Sequence, residues 1–189
     1  TASYTIARRK LKEGQTPPTS AVRVAEFINY FPYRYAPPST EAPFAVHMEA
    51  APDPFNEGHH LFRVGIKAQD LDLSTRKPVH LTFLVDVSGS MNRADKLGLA
   101  KKSLRHLTDQ LRPGDTVALA TYAGRVSAVL EPTNVTNKAT IHDAIEQLNA
   151  AGSTAMNSGI QLAYNMAQAG FVSGEENRVI VLSDGDANV

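Results

Sequence analysis

The sequence predicts an α/β fold: a doubly wound, mostly parallel sheet over residues 76–189, preceded by a small α+β unit over residues 1–75. Three observations carry that expectation. Short apolar runs rich in β-branched residues recur at 80–87, 116–122 and 178–183, the mark of strands buried on both faces. Amphipathic helical stretches separate them, which implies right-handed crossovers. Upstream of Pro78 the pattern differs, with two helical stretches followed by two segments of strict alternation.

In the first unit, Tyr4, Ala7 and Leu11 fall on one helical face, and Gly14 is a fitting stop. A Thr-Pro-Pro-Thr-Ser linker follows. Val24, Phe27, Ile28 and Phe31 then have the i, i+3, i+4, i+7 spacing of a second helix, which Pro32 ends. The proline-rich stretch 33–43 reads as an ordered loop. Tyr30, Phe31, Tyr33 and Tyr35 are expected to pack between the two units. Phe44, Val46 and Met48 alternate with Ala45, His47 and Glu49, and Phe62, Val64 and Ile66 repeat the pattern. Residues 52–60 supply the turn of a hairpin between them.

In the second unit, residues 80–87 form the first strand. Leu97, Ala100, Leu104, Leu107 and Leu111 give a long helix, stopped by Pro113-Gly114-Asp115. Residues 116–122 and 125–130 read as a strand pair. Thr140 and Asp143 resemble a helix cap, with Ile141, Ala144, Ile145 and Leu148 as that helix's apolar face. A further helix covers 157–168, and 178–183 is read as another buried strand, ending at Asp184-Gly185-Asp186.

Composition excludes several functions. Lys plus Arg equal 19 and Asp plus Glu equal 19, so there is no strongly basic nucleic-acid footprint. No cysteine is present, which removes disulfides, thiolate metal sites and cysteine nucleophiles. No apolar run approaches the ~20 residues of a membrane span. His59 and His60 lie in the expected turn with no partner at ligand spacing, His106 and His142 read as surface positions on helices, and the basic run Arg8 to Lys12 reads as a solvated helix face. Asn134-Val135-Thr136 is a formal glycosylation sequon that a bacterial chain would rarely use.

Three pieces converge on the carboxyl edge of the expected sheet, where open α/β folds bind ligands. They are Asp86-Val87-Ser88-Gly89-Ser90, Gly152-Ser153-Thr154 and Asp184-Gly185-Asp186. Asp86 and Asp184 offer anionic oxygen; Ser88, Ser90 and Thr154 offer hydroxyl oxygen. No imidazole or thiolate stands nearby, so the set suits a hard cation, Mg²⁺ first, with Mn²⁺ or Ca²⁺ as alternatives. Such an ion, incompletely neutralised, would attract an Asp or Glu from a protein partner. Asp186 reads as a turn residue, with a group supporting the metal ligands as the alternative.

Asp-x-Ser-x-Ser with a distant Thr and a strand-end Asp resembles the metal ion-dependent adhesion site of von Willebrand factor type A (VWA) domains, complete here as Asp86, Ser88, Ser90, Thr154 and Asp184. Leu111-Arg112-Pro113-Gly114-Asp115 and Leu182-Ser183-Asp184-Gly185 extend the match over residues 78–189. The resemblance implies that the serines and Thr154 touch the ion, with the aspartates acting directly or through water. Ala2-Ser3-Tyr4, Arg8-Arg9-Lys10-Leu11 and Glu26-Phe27-Ile28-Asn29-Tyr30-Phe31 resemble the extension before the VWA domain in a group of bacterial proteins that are often exported or lipid-anchored. It implies an extracytoplasmic or cell-surface location. A VWA sheet continues with two more strands, whereas this chain ends at Val189, which leads us to expect an open sheet edge and self-association through it.

A binding module is expected rather than an enzyme. Aspartyl phosphatases need an acidic residue two positions after the first aspartate, where Ser88 stands, and a serine hydrolase needs Gly-x-Ser-x-Gly with a placed histidine. The alternatives are a regulatory subunit of an ATP-driven assembly, which differs only in its partner, and a metal-dependent hydrolase.

Overall fold

A computed structural model describes residues 2–39, 41–70, 72–152 and 156–185. The chain divides into two compact units, Thr1–Leu73 and Ser74–Val189.

In the first unit, α1 (Ala2–Lys12) meets the short α2 (Val24–Ile28) through one aromatic cluster. The Tyr4 ring lies 4.1 Å from Tyr30, 5.2 Å from Phe31 and 5.6 Å from Phe27, centroid to centroid. The second helix stops at Ile28, three residues short of the spacing that includes Phe31, because Asn29 and Tyr30 already form a turn ahead of Pro32. Strands β1 (Phe44–Pro52) and β2 (His60–Ala68) form an antiparallel hairpin, in register from Phe44↔Ala68 to Pro52↔His60. Its two faces differ. Over one, Tyr35 stacks between Tyr33 at 5.4 Å and His47 at 4.9 Å, with the Arg63 guanidinium above the Tyr33 ring at 5.0 Å. On the other, Phe44, Val46, Met48, Phe62, Val64 and Ile66 remain between 48% and 68% exposed. Within the first unit these contacts engage Tyr30, Phe31, Tyr33 and Tyr35.

The second unit is a four-stranded sheet in the order β5-β4-β3-β6. Strand β3 (Val79–Asp86) runs parallel to β4 (Thr116–Tyr122) and to β6 (Glu176–Leu182), while β5 (Val126–Asn134) is antiparallel to β4. The fold is therefore the α/β, parallel-dominated sheet expected from the sequence. Helices cover both faces. Phe83, Val85, Val117 and Leu119 pack with Leu104 of α3 (Leu97–Gln110) and with Ile141 and Ile145 of α4 (Lys138–Glu146). Leu84, Ala118, Ala120 and Tyr122 face Ala163 and Met166 of α5 (Met156–Ala169). Burial on both faces is why β3 and β4 read as unbroken apolar runs. Gly159 lets α5 approach closely, since a Cβ there would lie 2.7 Å from the Tyr122 Cβ.

Two local expectations change. Thr140 lies inside α4 rather than capping it: the Asn134 side chain accepts from the Thr136 backbone N–H and starts a short 3-10 turn that leads into the helix. Strand β6 is not buried like β3. It pairs with β3 alone among the described residues, and Val181 is 42% exposed. Among those residues no helix is long and apolar enough to cross a membrane.

The amino ends of the strands are locked by Asp115, which is 1% exposed. It accepts both guanidinium nitrogens of Arg76, the Val79 N–H at 2.9 Å and the Arg112 N–H at 2.8 Å. Burial works to raise its carboxyl, but these donors win and hold it below the usual carboxylate range.

Candidate metal centre

At the opposite end of the sheet the last parallel pairs are Asp86↔Tyr122 and Val85↔Leu182. Asp86 thus closes β3, and Ser183-Asp184 leaves β6 beside it. The strand end continues as a tied loop: Val87 N–H donates to the Tyr122 carbonyl at 3.0 Å, and Ala151 N–H donates to the Val87 carbonyl at 2.7 Å. Gly89 N–H donates to the Gly152 carbonyl at 3.0 Å. Gly152 has φ +82° and sits against Gly124, whose nitrogen would be 3.1 Å from an added Cβ, so only glycine fits without strain. Gly152, the first residue of the second piece of the candidate motif, is therefore fastened to the first piece. Thr154 itself, with Ser153, lies outside the described residues, as does Asp186.

Asp86 is fully buried. Its Oδ1 accepts the Ser88 backbone N–H at 2.8 Å, which bends the loop so that the Ser88 and Ser90 hydroxyls meet at 3.1 Å. Its Oδ2 has no hydrogen-bond partner among the described residues. The adjacent Tyr122 hydroxyl, also fully buried, has none either. Burial pushes the Tyr122 phenol up, Ser183 opposes this, and Asp86, by its charge and its hydrogen-bonding proximity, and the Asp184 charge push it further up. A buried carboxylate oxygen left unmatched costs several kcal/mol in principle.

Asp184 is placed differently. Its Oδ2 receives the Lys96 ammonium at 2.6 Å, and its side chain is only 7% exposed. The structure thus brings Asp86, Ser88 and Ser90 into one loop and sets Asp184 at the same edge, engaged by a lysine. Sequence reasoning missed Lys96 and Tyr122. Tyr122 had a signal, since a phenol at the carboxyl end of a fully buried strand must turn its hydroxyl toward the edge. Lys96 had a fainter one, a cation just ahead of a helix.

No group of three or more His, Asp or Glu side chains capable of holding a metal occurs among the described residues. Any ion at this edge would rest on two carboxylates and several hydroxyls. That donor set fits a hard divalent cation, and the orphaned Asp86 Oδ2 is the kind of atom such an ion satisfies.

An open α/β sheet with an oxygen-rich loop cluster at the carboxyl ends of its parallel strands belongs to the doubly wound class, whose ligands bind at that edge. The von Willebrand factor type A domain profile matches residues 81–186, and the von Willebrand factor profile matches residues 1–63. The chain belongs to the von Willebrand factor type A domain family. It is 41% identical over its whole length to the uncharacterised protein YfbK of Escherichia coli K12, and 33% identical over 66% of its length to the uncharacterised protein sll0103 of a Synechocystis strain. It spans about a third of each of these relatives, 34% and 29%. Among solved structures, the hypothetical protein BatB of Bacteroides thetaiotaomicron superposes with a TM-score of 0.50 at 25% identity, covering 57% of this chain and 54% of that one. The vWF domain of the type V pili tip protein Mfa5 of Porphyromonas gingivalis superposes at 0.51 and 22% identity, covering 59% and 39%.

Proposed function

We propose that this chain is a metal-dependent protein-binding module, not an enzyme, in which Asp86, Ser88, Ser90, Thr154 and Asp184 hold a divalent cation, Mg²⁺ first, that captures an Asp or Glu of a protein partner. The observation that carries this reading is the Asp86 Oδ2, fully buried and without a partner among the described residues, beside two converging serine hydroxyls. A bound cation would supply an open coordination position for an external carboxylate. The chain's own residues do the rest. Asp86 anchors the loop through the Ser88 N–H, and Ser88 and Ser90 aim their hydroxyls at one point. Gly152, two positions before Thr154 in sequence, is hydrogen-bonded to Gly89 of this loop.

We place the module outside the cytoplasm of a bacterium, at or near the cell surface, on the resemblance of its first 31 residues to the extension of exported VWA proteins. Isothermal titration of the protein with Mg²⁺, and capture of acidic peptides with and without metal, test the function. Asp86→Ala is expected to abolish both while leaving the circular dichroism spectrum unchanged. Peptide capture that survives chelation would overturn the reading, and so would metal-dependent hydrolytic turnover.

A further inference from the structure

Lys96 stands where local rules would not put it. It is the N-cap residue of α3, and its side chain makes no capping hydrogen bond. Helix amino ends favour Ser, Thr, Asp or Asn and disfavour positive charge. A residue that breaks a local rule without local benefit points to a task elsewhere. Here the side chain leaves the helix end and reaches Asp184 across 88 positions of sequence, at 2.6 Å. Lys96 is 30% exposed and Asp184 7%, so the pair is far less screened than one on the surface. A cavity of about 340 Å³, bordered by Met91, Leu99, Val181 and Asp95, whose charge Arg93 offsets at 3.0 Å, as well as by the pair, opens it to approach from outside.

Resting on the function proposed above, we propose that Lys96 sets the charge of the cation-loaded site and so makes it select a carboxylate rather than a neutral ligand. The charges decide this. Asp86 and Asp184 together would cancel a divalent ion, leaving the loaded site no net attraction for an anion. With the Lys96 ammonium on Asp184, one positive charge is left over, held in surroundings where Coulomb forces are weakly damped. The residue therefore trades cation affinity for ligand attraction: it repels the ion somewhat, and the partner's acid restores the balance.

Lys96→Met keeps length and removes charge, while Lys96→Arg keeps charge. In calorimetric titration with Mg²⁺ alone, Lys96→Met is expected to bind roughly tenfold tighter than the parent and Lys96→Arg about as the parent does. With Mg²⁺ saturating, a poly-glutamate peptide should bind the parent and Lys96→Arg, and lose at least roughly tenfold in affinity for Lys96→Met. Mg²⁺ affinity in Lys96→Met that is unchanged or weaker would overturn the proposal, as would undiminished poly-glutamate binding. Should Lys96→Met fail to fold, Lys96→Gln serves the same comparison. No Mg²⁺ uptake by the parent, with Asp86→Ala indistinguishable from it, would sink the metal reading itself and this proposal with it.

Discussion

The two ends of the sheet each bury an aspartate, and they treat it in opposite ways. Asp115 is 1% exposed and meets a bidentate arginine and two backbone N–H groups. Asp86 is 0% exposed and meets one backbone N–H, with its Oδ2 unpartnered among the described residues. Burial is the same; satisfaction is not. A carboxylate with every lone pair answered is a structural device. One left unanswered in an otherwise well-packed domain calls for an explanation, and the cation proposed above supplies one.

The largest effect that would break this contrast is at the amino end. Asp115→Ala is expected to cost about 3 kcal/mol, because it leaves the partly buried Arg76 charge and two partly buried backbone N–H groups without their shared acceptor. Urea unfolding measures it, and a loss under about 1 kcal/mol would remove Asp115 from its structural role. Acid acts in the same direction. A carboxyl whose folded pKa is depressed stabilises the protein above its unfolded value, and that contribution disappears as pH falls through the folded one. The parent should therefore lose stability below about pH 4, and Asp115→Asn should flatten that part of the profile.

At the carboxyl end a smaller change of opposite sign is expected. Asp86→Asn keeps an acceptor for the Ser88 N–H and removes a buried charge, so metal-free protein should be unchanged or more stable by about 1 kcal/mol. The stabilisation of the parent by Mg²⁺ should vanish in the same variant. A destabilisation as large as that of Asp115→Ala would show Asp86 to be structural and erase the contrast.

Much of this was legible beforehand, for one reason. Strands β3 and β4 and the three long helices of the second unit follow hydrophobic periodicity, which a sequence displays directly. Asp86, Ser88 and Ser90 were legible because they sit within five residues of one another. What stayed hidden depends on pairing at long range. Asp115 read only as part of the Pro113-Gly114-Asp115 stop, because Arg76 is 39 positions away, and Lys96 drew no reading, because Asp184 is 88 away. The apolar run of β6 does not by itself reveal its exposure, since such a run does not show whether both neighbours are present. The capping of α4 was misread because Asn134 acts ahead of the helix, through a 3-10 turn that no simple spacing predicts.

A subtler test of the carboxyl end lies in the Tyr122 hydroxyl. It is buried with no partner among the described residues, close to Asp86 and Ser183. If it merely fills space, Tyr122→Phe removes an unsatisfied polar atom and should leave stability within about 1 kcal/mol, on the favourable side. If it instead serves the site through bound water, the same substitution should weaken Mg²⁺ binding while leaving metal-free stability unaltered. Comparing melting temperatures with and without Mg²⁺ separates the two. We expect the second pattern, because two orphaned polar atoms at one spot are better matched by a shared hydrated cation than by two independent packing faults.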